Sequence, residues 1–188
     1  MSDQDLIELL KQGDEQAFRK LVETWQDLVF NTVLGMVQDF QEAEDLSQEV
    51  FIQVYQSIKQ FRGDAKLSTW IYRIAVTKSL DWGRKRKTKK RIDLMKSLIG
   101  FGDKEPQPSE FVHPGVVMEK KESAGKLMKA MQALPDNQRI AFTLIKVEGL
   151  SYEEVASIME TTIKSVEALM HRAKENLRKQ LKDYYSNQ

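Results

Sequence analysis

A chain of 188 residues, 41% hydrophobic and 30% charged, is long enough to bury a core and short enough for one domain or two small ones. It contains no cysteine and two well-separated histidines, His113 and His171, which excludes disulfides, thiolate zinc sites and cysteine nucleophiles and argues against a metal centre. The formal net charge of +1 hides a segregation: residues 1–60 carry 4 Lys or Arg against 12 Asp or Glu, residues 61–104 carry 13 against 4, and residues 105–188 carry 12 of each. Such asymmetry points to one surface for a basic protein and another for a polyanion.

The N-terminus, "MSDQDLIELLKQGDEQ", is acidic and amphipathic, and no stretch has the length and apolarity of a membrane-spanning helix. The expectation is a soluble, cytoplasmic protein without membrane insertion. Leu6, Ile7, Leu9 and Leu10 mark a short leading helix. Asp14 is placed to cap a second helix, whose apolar residues Phe18, Leu21, Val22, Trp25, Val29, Val33, Met36 and Val37 recur at helical spacing. A third runs from about Gln41 to Ile58, with Ala43, Leu46, Val50, Phe51, Val54, Tyr55 and Ile58 inward.

The loop "RGDAKLS" leads into a long helix expected to start near Thr69 with Ser68 as its cap. At about 100° per residue, Ile71, Ile74, Ala75 and Trp82 fall on a core face interrupted by Lys78. Trp70, Arg73, Thr77, Asp81 and Arg84 form a separate stripe, which Thr88 extends. An aromatic, cations and hydrogen-bonding groups on one stripe suit contact with another molecule, although a solvated face with Trp70 packed over the helix start would read the same way. The helix ends in "GRKRKTKKR", with seven Lys or Arg among the eight residues from Arg84 to Arg91. These cations point all round the helix, so they suit phosphate attraction rather than sequence reading. A solvated charge run or a nuclear-localisation segment has the same composition.

Three of the four prolines and three of the nine glycines lie between Gly100 and Gly115, marking a linker. After it, a helix is expected from about Val116 to Ala133. Pro135 opens another, which carries Ile140, Ala141, Leu144, Ile145 and Val147 and stops at Gly149. Ser151 and Glu154 have the spacing of a capping box over a short helix with Val155, Ala156 and Met159 inward. Thr161 or Thr162 caps the final helix, whose apolar residues are Ile163, Val166, Leu169, Met170, Ala173, Leu177 and Leu181. Short helix, turn and second helix make a helix-turn-helix, in which Glu160 occupies a turn position that often prefers glycine. An ordinary helical hairpin gives the same pattern. In the helix-turn-helix reading, Thr162, Lys164, Ser165, Glu167, Ala168, His171 and Arg172 line the exposed start of the recognition helix. Glu167 could instead pair with His171 or Lys164. Strand-like alternation is absent, so the expected fold is all-α: two small helical domains over residues 1–94 and 116–188, joined by a flexible linker at 95–115, the C-terminal one a helix-turn-helix.

The segments "EAEDLSQEVFIQVY", "FRGDAKLSTWIYRIAVTKSLDWGRKRK" and "LPDNQRIAFTLIKVEGLSYEEVASIM" together resemble the signature segments of the extracytoplasmic-function sigma factors, small two-domain subunits of bacterial RNA polymerase. The resemblance implies a chain without cofactor or catalytic activity that binds core RNA polymerase and directs promoter-specific initiation. It implies that Glu44, Asp45, Gln48 and Glu49 dock on the polymerase. It also implies that Phe61, Lys66, Ser68, Thr69, Trp70, Arg73, Thr77, Asp81, Arg84 and Lys85 meet the minus ten element and its melted strand, and that the helix-turn-helix reads the minus 35 element in duplex DNA. Thr77 stands where many members have asparagine. An anti-sigma factor is a usual partner in the family, and no residue identifies one. A stand-alone helix-turn-helix regulator is the alternative; it would leave the acidic helix and the aromatic stripe without use.

Overall fold

Asp14 and Asp39 set the frame of the N-terminal half. In the computed structural model, which describes residues 3–98 and 118–185, helix α1 spans Asp3–Gln12, α2 Glu15–Val37, α3 Phe40–Ser57 and α4 Leu67–Leu98. Asp14 Oδ1 accepts from the Ala17 amide at 2.7 Å and Asp39 Oδ1 from the Glu42 amide at 3.1 Å, each satisfying one of the donors a helix start leaves free. The first cap agrees with the sequence reading. The second places the start of α3 near the expected Gln41. A one-turn 3-10 segment, Ile58–Gln60, closes α3.

Helix α4 starts two residues before the expected point. The Trp70 amide donates to the Lys66 carbonyl at 3.2 Å, so Ser68 lies inside the first turn and does not cap it. Leu21, Val29, Val33, Val50, Val54, Ile71 and Ala75 are fully buried where α2, α3 and α4 pack together. Burying each of the larger aliphatic side chains contributes about 1.5–3 kcal/mol relative to exposure. Tyr55 departs from the inward position its spacing predicts: it is half exposed, with an edge-on contact to Phe18, ring centres 5.0 Å apart.

In the C-terminal half α5 spans Met118–Gln132, α6 Asp136–Lys146, α7 Tyr152–Ile158 and α8 Ile163–Tyr185. Pro135 precedes α6, where its missing amide proton costs nothing, and the Arg139 amide closes the first turn on the Pro135 carbonyl at 3.0 Å. Gly149, at φ +69, lets the chain reverse after α6, and the Leu150 amide returns to the Leu144 carbonyl at 3.1 Å. The capping box forms as the spacing predicts: the Glu154 amide donates to Ser151 Oγ at 3.2 Å and the Ser151 amide to Glu154 Oε2 at 3.0 Å. Thr162, not Thr161, caps α8, with Oγ1 accepting from the Ser165 amide at 3.2 Å. Val155, Ala156, Ile158, Val166, Met170, Ala173 and Leu177 are buried, whereas Ile163, expected inward, is exposed.

The predicted linker lies outside the described residues from 99 onward, and His113 with it. The described residues contain no strand, and no helix among them is long and apolar enough to cross a membrane. The two halves touch. Buried residues of α2, α3 and α4 join Ile140, Leu144, Val155, Ala156, Ile158 and Val166 of the C-terminal half in one continuous apolar cluster. A second cluster of Ala130, Met131, Leu134, Ala173 and Leu177 fastens α5 to α8.

Candidate functional site

The charge segregation seen in the sequence resolves into three surfaces. On α3, Glu44, Asp45, Gln48 and Glu49 are all exposed, because Ala43, Leu46, Ser47 and Val50 take the buried positions between them. Beside these carboxylates stand Ile52, 56% exposed, and Tyr55, 50% exposed. Sequence reasoning missed this apolar component, since an apolar residue on an amphipathic helix is assigned inward by default. Glu49 is not wholly free: its Oε2 lies 3.5 Å from Lys78 Nζ of α4. Glu42 Oε2 accepts from Trp82 Nε1 at 2.7 Å, which ties the start of α3 to the middle of α4.

The second surface is α4 with the loop before it, and here the structure divides the expected DNA-facing residues. Lys66, Thr77, Asp81, Arg84 and Lys85 are exposed, and Ser68 and Trp70 are half-buried. Phe61 and Thr69, expected at the DNA surface, are buried. Their burial has a structural use: Phe61 is the floor on which Trp70 rests, ring centres 5.1 Å apart at a tilt of 45°, which fixes the indole at the head of the helix. Asp81 and Arg84 pair with each other at 3.1 Å, and the Thr88 hydroxyl turns back to the Arg84 carbonyl at 3.0 Å. Thr77 remains exposed on the stripe, one turn before Asp81. Arg86 lies over the Trp82 ring, 4.9 Å from its centre. The remaining cations from Lys85 to Arg91 are exposed, as their distribution round the helix demands.

Arg73 sits elsewhere than the sequence stripe suggests. Its Nη2 donates to the Ser157 carbonyl in the last turn of α7 at 2.7 Å, and its Nη1 lies 3.4 Å from Glu160 Oε1. Next to it the Tyr72 hydroxyl donates to Glu148 Oε2 at 3.2 Å. Burial pushes the Tyr72 phenol above its ordinary pKa, and the Glu148 carboxylate adds to the rise. Burial also raises Glu148, and the hydrogen bond from Tyr72 partly offsets it. The other Glu148 oxygen is buried without a hydrogen-bond partner.

The third surface is the start of α8. Thr162, Lys164, Ser165, Glu167, His171 and Arg172 are exposed and Ala168 is half-buried, so the seven residues form one face held out by Val166, Met170 and Ala173 beneath. Thr162 is already engaged as the helix cap. His171 pairs with Glu175, 3.7 Å away, and Arg172 Nε turns to the Ala168 carbonyl at 3.2 Å. Glu167 makes neither of the two pairings open to it in sequence, and with Lys164 it stays available to a ligand. An open depression of about 490 Å³ lies along this face, lined by Asn137, Thr161, Lys164, Ser165, Ala168, Leu169 and Arg172. A polar, partly cationic helix start raised on a rigid helix-turn-helix is the geometry that enters a DNA major groove. Among the described residues no cluster of His, Asp or Glu could hold a metal ion.

Comparison with known proteins accounts for both halves of the chain. Residues 21–89 match the family described as Sigma-70 region 2, and residues 124–177 match Sigma-70, region 4. The RNA polymerase sigma-H factor of Pseudomonas aeruginosa is 33% identical over 95% of this chain and 93% of its own length. The ECF RNA polymerase sigma factor SigW of Bacillus subtilis is 32% identical over 94% and 95%, and the ECF RNA polymerase sigma-E factor of Escherichia coli strain K12 is 33% identical over 93% and 92%. The fold is similar to that of CnrH in its complex with the cytosolic domain of CnrY, with a TM-score of 0.69 at 18% identity over 96% of this chain and 97% of that one. It is likewise similar to sigma factor RpoE of Bartonella quintana, bound to the anti-sigma factor NepR, with a TM-score of 0.62 at 19% identity over 88% and 96%. The chain belongs to the extracytoplasmic-function family of RNA polymerase sigma factors.

Proposed function

We propose a division of labour in which the acidic face of α3 docks on core RNA polymerase, α4 with its preceding loop holds the melted minus ten element, and the start of α8 reads the minus 35 element. As a member of its family the chain directs promoter-specific transcription initiation; it does so in the cytoplasm, where the polymerase works, and has no catalytic role of its own. The domains are taken as residues 1–94 and 116–188, with 95–115 as the connection.

The observation that carries the reading is the outward face of α3. Carboxylates at Glu44, Asp45 and Glu49 beside exposed Ile52 and Tyr55 combine charge for a basic partner with apolar area that anchors a protein contact. A regulator that binds duplex DNA alone has no use for such a face. On α4, Trp70 offers a stacking surface and Lys66, Arg84 and Lys85 offer charge to a single strand, which suits bases taken out of the duplex. At α8, Lys164 can donate to guanine and Glu167 can accept from cytosine. An anti-sigma factor is a further proposed partner, by likeness to the relative solved with one.

Run-off transcription with purified core polymerase on fragmented genomic DNA, with sequencing of the start sites, tests the reading. Defined start sites that depend on this protein are the expected result. No specific transcript from any fragment, together with footprints on duplex DNA by the protein alone, would replace it with a stand-alone regulator.

A further inference from the structure

Helix α4 changes character at Gly83. Up to Trp82 it is packed: Ser79 is buried, Leu80 and Trp82 lie against the core, and Trp82 Nε1 donates to Glu42 Oε2 at 2.7 Å. From Arg84 to Asp93 every residue is exposed. The contacts that reach back from this part, Arg84 to Asp81, Arg86 to the Trp82 ring and Lys87 to Asp136, lie at the surface. Contacts of that kind contribute little in water.

Glycine is a poor choice in the middle of a 32-residue helix, where alanine holds the backbone better. Gly35, inside α2, has a packing reason, since a Cβ there would overlap the Cγ2 of Thr143 in α6. Gly83 has none: a Cβ there would meet nothing within 4 Å. The sequence beyond it weakens the helix further. Lys85 with Lys89, Arg86 with Lys90 and Lys87 with Arg91 are like charges four residues apart, a spacing that destabilises a helix. A straight helix also turns about half of these cations away from any one polyanion, because they point all round it. The glycine, the like-charge pairs and the all-round distribution share one explanation: the segment leaves the line of α4 when it works.

We propose that Gly83 is a hinge and that Lys87 to Arg91 beyond it form an arm, which bends from α4 onto the phosphate backbone of the duplex next to the melted minus ten element. The inference rests on the proposed role of α4 and adds a second DNA surface to it. In that role Trp70, at the head of the helix, meets the melted strand. From the other end the chain continues toward the half that reads the minus 35 element, which lies upstream. The arm therefore stands beside the duplex between the two elements. As helix, the residues from Arg84 to Arg91 cover about 12 Å, three or four base steps. Bent at Gly83, they bring to the backbone cations that a straight helix turns away. Such contact neutralises phosphates and reads no sequence. Arg84 and Lys85 stay with the melted strand, and Lys87, Lys89, Lys90 and Arg91 take the duplex.

Core polymerase carrying the full chain, titrated with a fluorescent fork-junction promoter taken from a run-off start site, tests both parts. The promoter is made in two forms, one with its natural backbone and one with neutral methylphosphonate linkages at the three or four duplex steps upstream of the fork. Lys89→Ala with Lys90→Ala and Arg91→Ala should weaken binding to the natural form about tenfold. The same variant should flatten the salt dependence by about 0.9 in log–log slope for each duplex phosphate no longer neutralised. On the neutral form the parent should bind about as weakly as the variant, and the variant should lose nothing more. Gly83→Ala should weaken binding to the natural form about fivefold, the preference of alanine over glycine for a helix that must bend. It should melt no earlier than the parent, because nothing stands against the new methyl group. Equal losses by the triple variant on the two forms would overturn the arm. A Gly83→Ala chain that binds like the parent, or melts well below it, would overturn the hinge. Run-off transcription judges the role itself: absence of specific transcripts with the parent indicts the sigma reading, whereas specific transcripts with variants that bind like the parent overturn the arm alone.

Discussion

Replacing Trp70 with alanine separates stacking from packing. The indole rests on the buried Phe61 ring, 5.1 Å away at a 45° tilt, and remains half-buried, so one part of it serves the protein and another is open to a ligand. Loss of the ring pair should cost about 0.5–1.5 kcal/mol of stability. Loss of one stacked base should cost about 1–3 kcal/mol, roughly 5-fold to 150-fold, and only where the strand is melted. With polymerase holoenzyme, Trp70→Ala should therefore bind a fork-junction promoter that presents an unpaired minus ten strand far more weakly than the parent. Binding of closed duplex should change about twofold or less. Permanganate reactivity of thymines in the minus ten region should fall in parallel. Equal loss on duplex and fork DNA would refute the stacking role, and a fall in melting temperature as large as a core deletion would assign Trp70 to packing.

Asp45→Lys should weaken core-polymerase binding at least tenfold in a pull-down titration with the helical circular dichroism unchanged; Glu49→Lys should do the same at an added cost to stability, because it sets a second ammonium beside Lys78, now 3.5 Å from the carboxylate. Arg84→Ala with Lys85→Ala should leave promoter choice intact and flatten the salt dependence of melted-strand binding by about 0.7 in log–log slope for each phosphate no longer neutralised. Acidification should stabilise the fold through Glu148: burial raises its pKa in the folded chain, so the folded state holds the proton more tightly. That contribution is fully present below the ordinary carboxylate value and is lost as pH rises through the raised one. Tyr72 of α4 faces the carboxylate directly and Glu154 of α7 lies near enough to act on the same phenol, so Glu148→Gln is the control, and the melting temperature of that variant should lose this part of its pH response.

The helices and their caps are legible in the sequence because they depend on residues within a few positions of one another. Asp14, the Ser151 and Glu154 box and the Pro135 start are local chemistry, and the structure keeps all three. What stays hidden involves partners far apart in the chain. Tyr72 and Glu148 are 76 residues apart, Arg73 and Ser157 84, and Gly35 and Thr143 108. No periodicity reports such pairs. Helical spacing predicts Tyr55 and Ile163 inward and fails for a related reason: a hydrophobic stripe does not say where the neighbouring helices end. The sequence trace of the contact between the halves lies in two residues that break local rules: Gly35 inside α2, where a Cβ would overlap Thr143, and Glu160 at φ +51 in the turn between α7 and α8, a conformation that favours glycine.

The ion pairs of the folded chain also change what the charge segregation means. An acidic N-terminal segment and a basic α4 could have been independent surfaces, each solvated until its partner arrived. In the folded chain the basic helix and the loop before it are already partly neutralised from two sides, by Glu49 of α3 and by Asp136, Glu154 and Glu160 of the C-terminal half. Among the described residues, the carboxylate that meets Lys87 is the one ion-pair partner of the run from Lys85 to Arg91, so the field of that run projects beyond the molecule while Arg73 is held inside. The cations that steer the chain toward a polyanion are then distinct from Arg73, which is engaged by Ser157 and Glu160. A chain built this way can be drawn to DNA by its exposed run while Arg73 serves the packing of α4 against α7.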